Sequence, residues 1–216
     1  MQKKTASDSQ PAKRAPRKRP LVTVSEEDRN RRADLVRVSA RLFREKGFDG
    51  TTVRDIADAV GMRSGSPFYH FKTKQDILAA VMEEGLVGGL NETERIVATD
   101  LPPREKFRAL VRSHLETVLA EGHDFIPVLL YEWRALSPEL QAHIIELKDR
   151  YDAHWQQVLA ELKTAGLIKS DSKVVRLLMF GAINYTAQWY KRGKGLSIDQ
   201  LADQAIEFFL GDAAGE

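Results

Sequence analysis

The side chains able to do chemistry fall into two groups. The first occupies residues 51–74, TTVRDIADAVGMRSGSPFYHFKTK, where hydroxyls and cations crowd a short span. Thr52 and Arg54 sit at a helix start, where free N–H groups favour an anion such as phosphate. Arg63 carries a guanidinium that can pair bidentately with guanine O6 and N7, or else contact phosphate alone. Ser64 and Ser66 could reach base or phosphate, Gly65 lets the backbone come close, and Tyr69, His70 and Lys74 look like phosphate clamps. The second group is the five histidines, His70, His114, His123, His143 and His154. His143, Glu146, Asp152 and His154 could be drawn as metal ligands, but their spacing matches no recognised site, and a charged run on a long helix is ordinarily a solvated face. There is no Cys, no Gly-rich phosphate loop, no GxSxG and no HExxH. An enzyme would need a nucleophile or acid–base pair assembled from positions distant in sequence. No cofactor is expected.

The elements that must position the first group are short helices. Thr52 stands at an N-cap with Asp55 three residues on, the pattern of a capping box. Val53, Ile56, Ala57 and Val60 follow at helical spacing, and Gly61 comes where a helix ends with positive φ. A second short helix over about 64–70 follows a glycine-containing turn. Two such helices place the second one in a DNA major groove.

The pattern TTVRDIADAVGM…GSPFYHFKTKQDIL resembles the N-terminal signature of the TetR (tetracycline-repressor-like) family of bacterial regulators, closely over residues 36–81 and beyond that only in general plan. The resemblance implies an all-α protein: an N-terminal three-helix DNA-binding unit and a C-terminal helical domain for effector binding and dimerisation. Two residues depart from the family pattern. Pro67 stands where most members carry Leu or Phe, and Phe68 where most carry a phosphate-binding Tyr, a role that neighbouring Tyr69 could take over. Proline is tolerated only in a helix's first turn, so the recognition helix begins no earlier than about Ser64.

Charge is unevenly spread. Residues 1–20 carry seven Lys/Arg and one Asp, residues 21–74 are net +3, and residues 75–216 are net −7. A basic first third on an acidic remainder suggests one end that meets a polyanion. Residues 1–24 read as a disordered basic tail, which either lies along phosphates or is inert. No apolar run approaches the ~18 residues of a membrane span, and the basic N-terminus lacks the apolar stretch of a secretory signal. Together with the absence of Cys, this points to a cytoplasmic protein.

Periodicity and caps give about nine helices, at roughly 25–46, 53–60, 64–70, 76–99, 103–120, 124–136, 138–165, 171–191 and 198–210, and no sheet. The DNA-binding unit is expected over 25–74 and the effector and dimerisation domain over 75–216. In the fourth helix Gly85, Gly88 and Gly89 suggest either a bend or close packing. The later helices are rich in aromatics, which are plain core or the wall of a pocket. By the resemblance they enclose an apolar effector site, with His114, Phe125, Leu129, Trp133, His154, Trp155, Phe180 and Asn184 as candidate lining; a hydrophobic or acyl-CoA-type ligand and a drug-like aromatic both remain open. Apolar residues of the last two helices exceed one monomer's need and imply a homodimer through them. The expected function is a ligand-responsive transcriptional regulator, a repressor acting on double-stranded, pseudo-palindromic operator DNA, with no membrane partner. A DNA-compacting protein, or a small-molecule binder or enzyme with vestigial DNA binding, are the alternatives.

Overall fold

In the computed structural model, residues 25–62, 67–119, 124–170 and 172–211 are described. They form nine α-helices, one 3₁₀ turn and no strand: α1 Glu26–Lys46, α2 Val53–Ala59, α3 Pro67–His70, α4 Lys74–Val97, α5 Pro103–Leu119, α6 Phe125–Tyr131, α7 Pro138–Thr164, α8 Ser172–Trp189 and α9 Ile198–Leu210. The expected tail over residues 1–24 lies outside the described residues.

Local sequence sets most boundaries. Thr52 accepts from Asp55 N–H (3.1 Å) while the Asp55 carboxylate accepts from Thr52 N–H (2.8 Å), closing the capping box. The Thr52 hydroxyl also donates to the carboxylate (2.6 Å), and this bond together with that from the Thr52 N–H holds the Asp55 carboxyl below its ordinary range. Ser197 and Gln200 form a box at α9. At Ser25 the hydroxyl takes the Asp28 N–H (3.1 Å) without the return bond, half of what the spacing promises. Gly61 adopts φ +68°, the left-handed geometry that turns the chain between α2 and α3.

Several boundaries differ from the periodicity. α4 begins two residues early, because Thr73 and Asp76 close a capping box that the apolar spacing does not reveal (Thr73 N–H to Asp76, 2.8 Å). The sixth helix stops at Tyr131 and tightens into a 3₁₀ turn over Trp133–Ala135. Pro138 drives the preceding Ser137 into extended geometry (ψ 157°), where it caps α7. α8 ends at Trp189, two residues short of the expected 191.

The packing has two apolar centres. One joins α1 and α2 to the first half of α4, with Leu35, Phe43, Ile56, Ile77 and Leu78, and extends to Val128 of α6 and Ile144 and Leu147 of α7. The other gathers α5, α7, α8 and α9 around Trp155, Phe107 and Leu159, and takes Leu90 and Ile96 from the second half of α4. α4 therefore belongs to both centres, and the apolar core around the N-terminal helices does not stop at residue 74. Arg108 and Arg112 of α5 bond Asp203 (2.5 Å) and Asp199 (2.7 Å) of α9. These pairs are half exposed and fix orientation more than they add stability.

Candidate functional site

The DNA-reading side is built on α1–α3 and the start of α4. Thr52 is exposed at the α2 N-cap, and Arg54, the second residue of the helix, extends into solvent. Tyr69 is 78% exposed on α3, with the His70 ring packed edge-on against it at 5.1 Å. Arg31 of α1 shares a shallow groove with Tyr69 and His70; sequence spacing did not single it out among the α1 arginines. Arg63, Ser64, Gly65 and Ser66, the expected base-reading residues, lie outside the described residues. Pro67 is the first residue of α3 and is buried, consistent with the rule that proline opens a helix.

Lys74 has a place beyond the one expected. Its ammonium donates to the carbonyls of Phe48 (2.7 Å) and Thr51 (2.9 Å) and lies 4.0 Å over the Phe48 ring. Two of its three protons close the α1–α2 connection onto α4, which leaves one for a phosphate. Lys74 is therefore a structural tie, beside the phosphate contact expected of it. Thr51 adds to the same joint. It is fully buried, and its hydroxyl donates toward Gly47 O (2.9 Å) and Leu42 O (3.2 Å).

The second site is a cavity of about 90 Å³ enclosed by α4–α8. Four of the expected residues line it: His114, Leu129, Phe180 and Asn184. The other four do not. Trp155 is wholly buried behind the wall, edge-on to both His114 (5.9 Å) and Phe180 (5.1 Å). His154 is turned away to Thr93, Nδ1 to Oγ1 2.8 Å. Phe125 and Trp133 pack against the N-terminal core instead. Helical spacing could not separate these, since neighbours on one aromatic face point to either side of a wall. The residues missed are Gly85, Leu86, Gly89, Thr117, Ile126, Leu130, Lys148 and Tyr151, together with Asp152, which spacing had suggested only as a metal ligand. Among the described residues no cluster of His and carboxylates could hold a metal ion.

The glycines explain the enclosure. A Cβ on Gly85 would stand 2.7 Å from Phe125 Cβ, and one on Gly89 would stand 3.2 Å from the Tyr151 ring. One turn apart on α4, they let α6 and Tyr151 approach closely. Gly88 meets nothing within 4 Å. The packing reading thus accounts for Gly85 and Gly89.

His114 is the polar centre of the cavity. Its ring stacks on Phe180 (5.2 Å, 8°) and bonds Tyr151 through Nδ1 (2.8 Å) and Asn184 Oδ1 through Nε2 (2.7 Å). Asn184 Oδ1 only accepts, so the proton sits on Nε2 and the Tyr151 hydroxyl donates to Nδ1. Burial, opposed by Asn184 and the charge of Asp152, holds the His114 pKa below its ordinary 6.5. Burial likewise raises that of Tyr151. A neutral network results. As pH falls through 6.5, the unfolded chain takes up a proton that folded His114 still refuses, so stability present above that pH is lost below it. We expect unfolding free energy to fall with a slope of up to about 1.4 kcal/mol per pH unit below that point, and His114→Gln to flatten that slope in urea titrations at stepped pH.

Two family patterns cover these two sites. Bacterial regulatory proteins of the tetR family match over residues 35–81, and the tetracyclin repressor-like C-terminal domain over residues 100–212. The chain belongs to the TetR family. Among its TetR relatives, the HTH-type transcriptional repressor KstR2 of Rhodococcus jostii is 32% identical over 185 residues, 83% of this chain and 89% of the relative. The solved structure of superantigen PfiT is 41% identical, with a TM-score of 0.70 over 82% of this chain and 94% of that one. AibR, solved with isovaleryl coenzyme A and operator DNA, shares the TetR fold at a TM-score of 0.77 and 24% identity, covering 84% and 98% of the two chains. No helix among the described residues is long and apolar enough to cross a membrane.

Proposed function

We propose that this TetR-family regulator is a cytoplasmic, homodimeric repressor without catalytic activity, released from its operator when a small effector enters the α4–α8 cavity. One observation carries the link between the two sites. α6 supplies Ile126, Leu129 and Leu130 to the cavity wall, and the residue at its start, Asp124, is gripped by Arg44 of α1 at 2.5 Å. The Asp124 side chain is only 12% exposed there. An effector that moves α6 therefore pulls on the DNA-reading unit directly, beside any motion carried by α4. Such an effector must bind the two arrangements with different affinity, since one that binds both equally shifts nothing.

Dimerisation is supported by the outward face of α8 and α9. Val174, Leu177, Leu178, Tyr185 and Trp189 follow one side of α8, and Phe208 on α9 is 81% exposed. Large contiguous apolar patches on a monomer mark an interaction surface. A two-fold pair would present two α3 helices to a pseudo-palindromic duplex, with Thr52, Arg54, Arg63, Ser64, Gly65, Ser66, Tyr69, His70 and Lys74 as the contact set. Phe180 and Ile183, on the other side of α8, face the interior.

Filling the cavity tests this reading. Leu129→Trp should leave duplex affinity within about threefold while raising the concentration of a short acyl-CoA thioester needed for release by at least about tenfold, ~1.4 kcal/mol. Fluorescence anisotropy of a labelled duplex measures both. Unaltered release by Leu129→Trp would place the effector elsewhere.

A further inference from the structure

The cavity has a charged wall that its apolar lining does not explain. Asp152 borders two spaces: the inner cavity of about 90 Å³ and an outer cleft of about 360 Å³ between α7 and α8, which Gln156, Ser172 and Arg176 also line. Its Oδ2 accepts from both Lys148 Nζ (2.7 Å) and Arg176 Nη1 (2.6 Å). Its Oδ1 and the Arg176 Nε–H are buried without a hydrogen-bond partner. The two side chains are 12% and 11% exposed. One carboxylate oxygen thus serves two cations while an acceptor and a donor beside it go unused. Arg176 is nearly enclosed and shares its one carboxylate oxygen with Lys148, so a second anion beside it would be stabilised. The inner cavity alone is also small beside the ~300–1,000 Å³ usual for a drug-sized ligand.

We propose that the effector is an amphipathic anion, whose short apolar chain fills the inner cavity and whose carboxylate or phosphate lies at the Asp152 wall, held between Lys148 on the inner side and Arg176 on the side of the outer cleft. This rests on the effector reading above and names the chemistry that the effector must carry. The two spaces share a wall. The Arg176 guanidinium lies 5.6 Å over the Phe180 ring, whose stack on His114 lines the inner cavity. In the unliganded chain Asp152 supplies the negative charge at Lys148 that the ligand supplies when bound. The Lys148 side chain is 51% exposed, so it can turn from Asp152 to the ligand without losing buried contacts. The Arg176 Nε–H then finds its acceptor.

Isothermal titration of the full-length chain with hexanol, hexanoate and hexanoyl-CoA tests the proposal. At least one anion should bind about tenfold or more tighter than hexanol. A gain already present with hexanoate identifies a carboxylate head, and one confined to hexanoyl-CoA identifies a phosphate. Lys148→Gln, at a half-exposed position, should remove about three- to tenfold of that preference and leave hexanol unchanged. Asp152→Asn should strengthen anion binding, since it removes the competing carboxylate. Hexanol binding as tightly as both anions, or Lys148→Gln weakening all three equally, would overturn the proposal and leave the cavity reading standing. No binding by any of the three at millimolar concentration would remove both.

Discussion

Replacing Lys74 with alanine should destabilise the protein by about 2–4 kcal/mol, less than the sum of two charge-assisted hydrogen bonds at roughly 1.5–3 kcal/mol each and a ring contact of about 1, because the site is only partly buried and water reaches the freed carbonyls. The ammonium joins Phe48 O and Thr51 O to the start of α4 while resting on the Phe48 ring. Removing it leaves two carbonyls at the α1–α2 joint without their donor. Lys74→Met keeps much of the apolar stem over Phe48 and loses only the donors, so it should fall between the wild type and alanine in urea unfolding. A Lys74→Ala protein of unchanged midpoint and weakened DNA binding would return Lys74 to the role of a phosphate clamp.

The second large effect belongs to Gly85. On helix propensity alone, Gly→Ala within α4 should stabilise by about 1 kcal/mol. At Gly85 the new methyl would stand 2.7 Å from Phe125 Cβ, an atom close to the backbone of α6 that no side-chain rotation can move aside. Overpacking of this kind costs about 1–3 kcal/mol, so the net change is destabilising by up to ~2 kcal/mol. Gly88 is the matched control, four-ångström-clear and on the same helix. Gly88→Ala should stabilise by roughly 0.5–1 kcal/mol. Opposite signs for the two variants in thermal unfolding are the expected outcome. A stabilised Gly85→Ala would mean that α6 yields freely. Displacing α6 also loads the Arg44–Asp124 pair, so Gly85→Ala should weaken DNA binding even without an effector.

Much of this was readable from residue order, and the reasons are local. Thr52 with Asp55, Ser137 with Pro138, and Ser197 with Gln200 place helix starts because a cap is settled by three or four neighbouring residues. The all-α architecture followed from helical periodicity and the want of alternation. The cavity was legible only in part. His114, Leu129, Phe180 and Asn184 line it, while Trp155 and His154, on the same aromatic-rich stretch of α7, turn to its outer wall and to Thr93. Which side of a helix meets a hollow depends on how α4, α5, α7 and α8 pack, and no local spacing encodes that. Lys74 shows the same limit for charge: its ties to the carbonyls of residues 26 and 23 positions earlier appear only once the chain is folded. Asp152 is a third case, since its partner Arg176 lies on a different helix.

The proposed function stands on two copies of this chain reading one specific duplex. Selection of bound duplexes from a randomised pool by the full-length protein, followed by sequencing, should enrich a two-fold symmetric motif whose half-sites lie about one helical turn, ~34 Å, or a multiple of it apart. Binding that depends on salt and length alone, with no enriched motif, would contradict it.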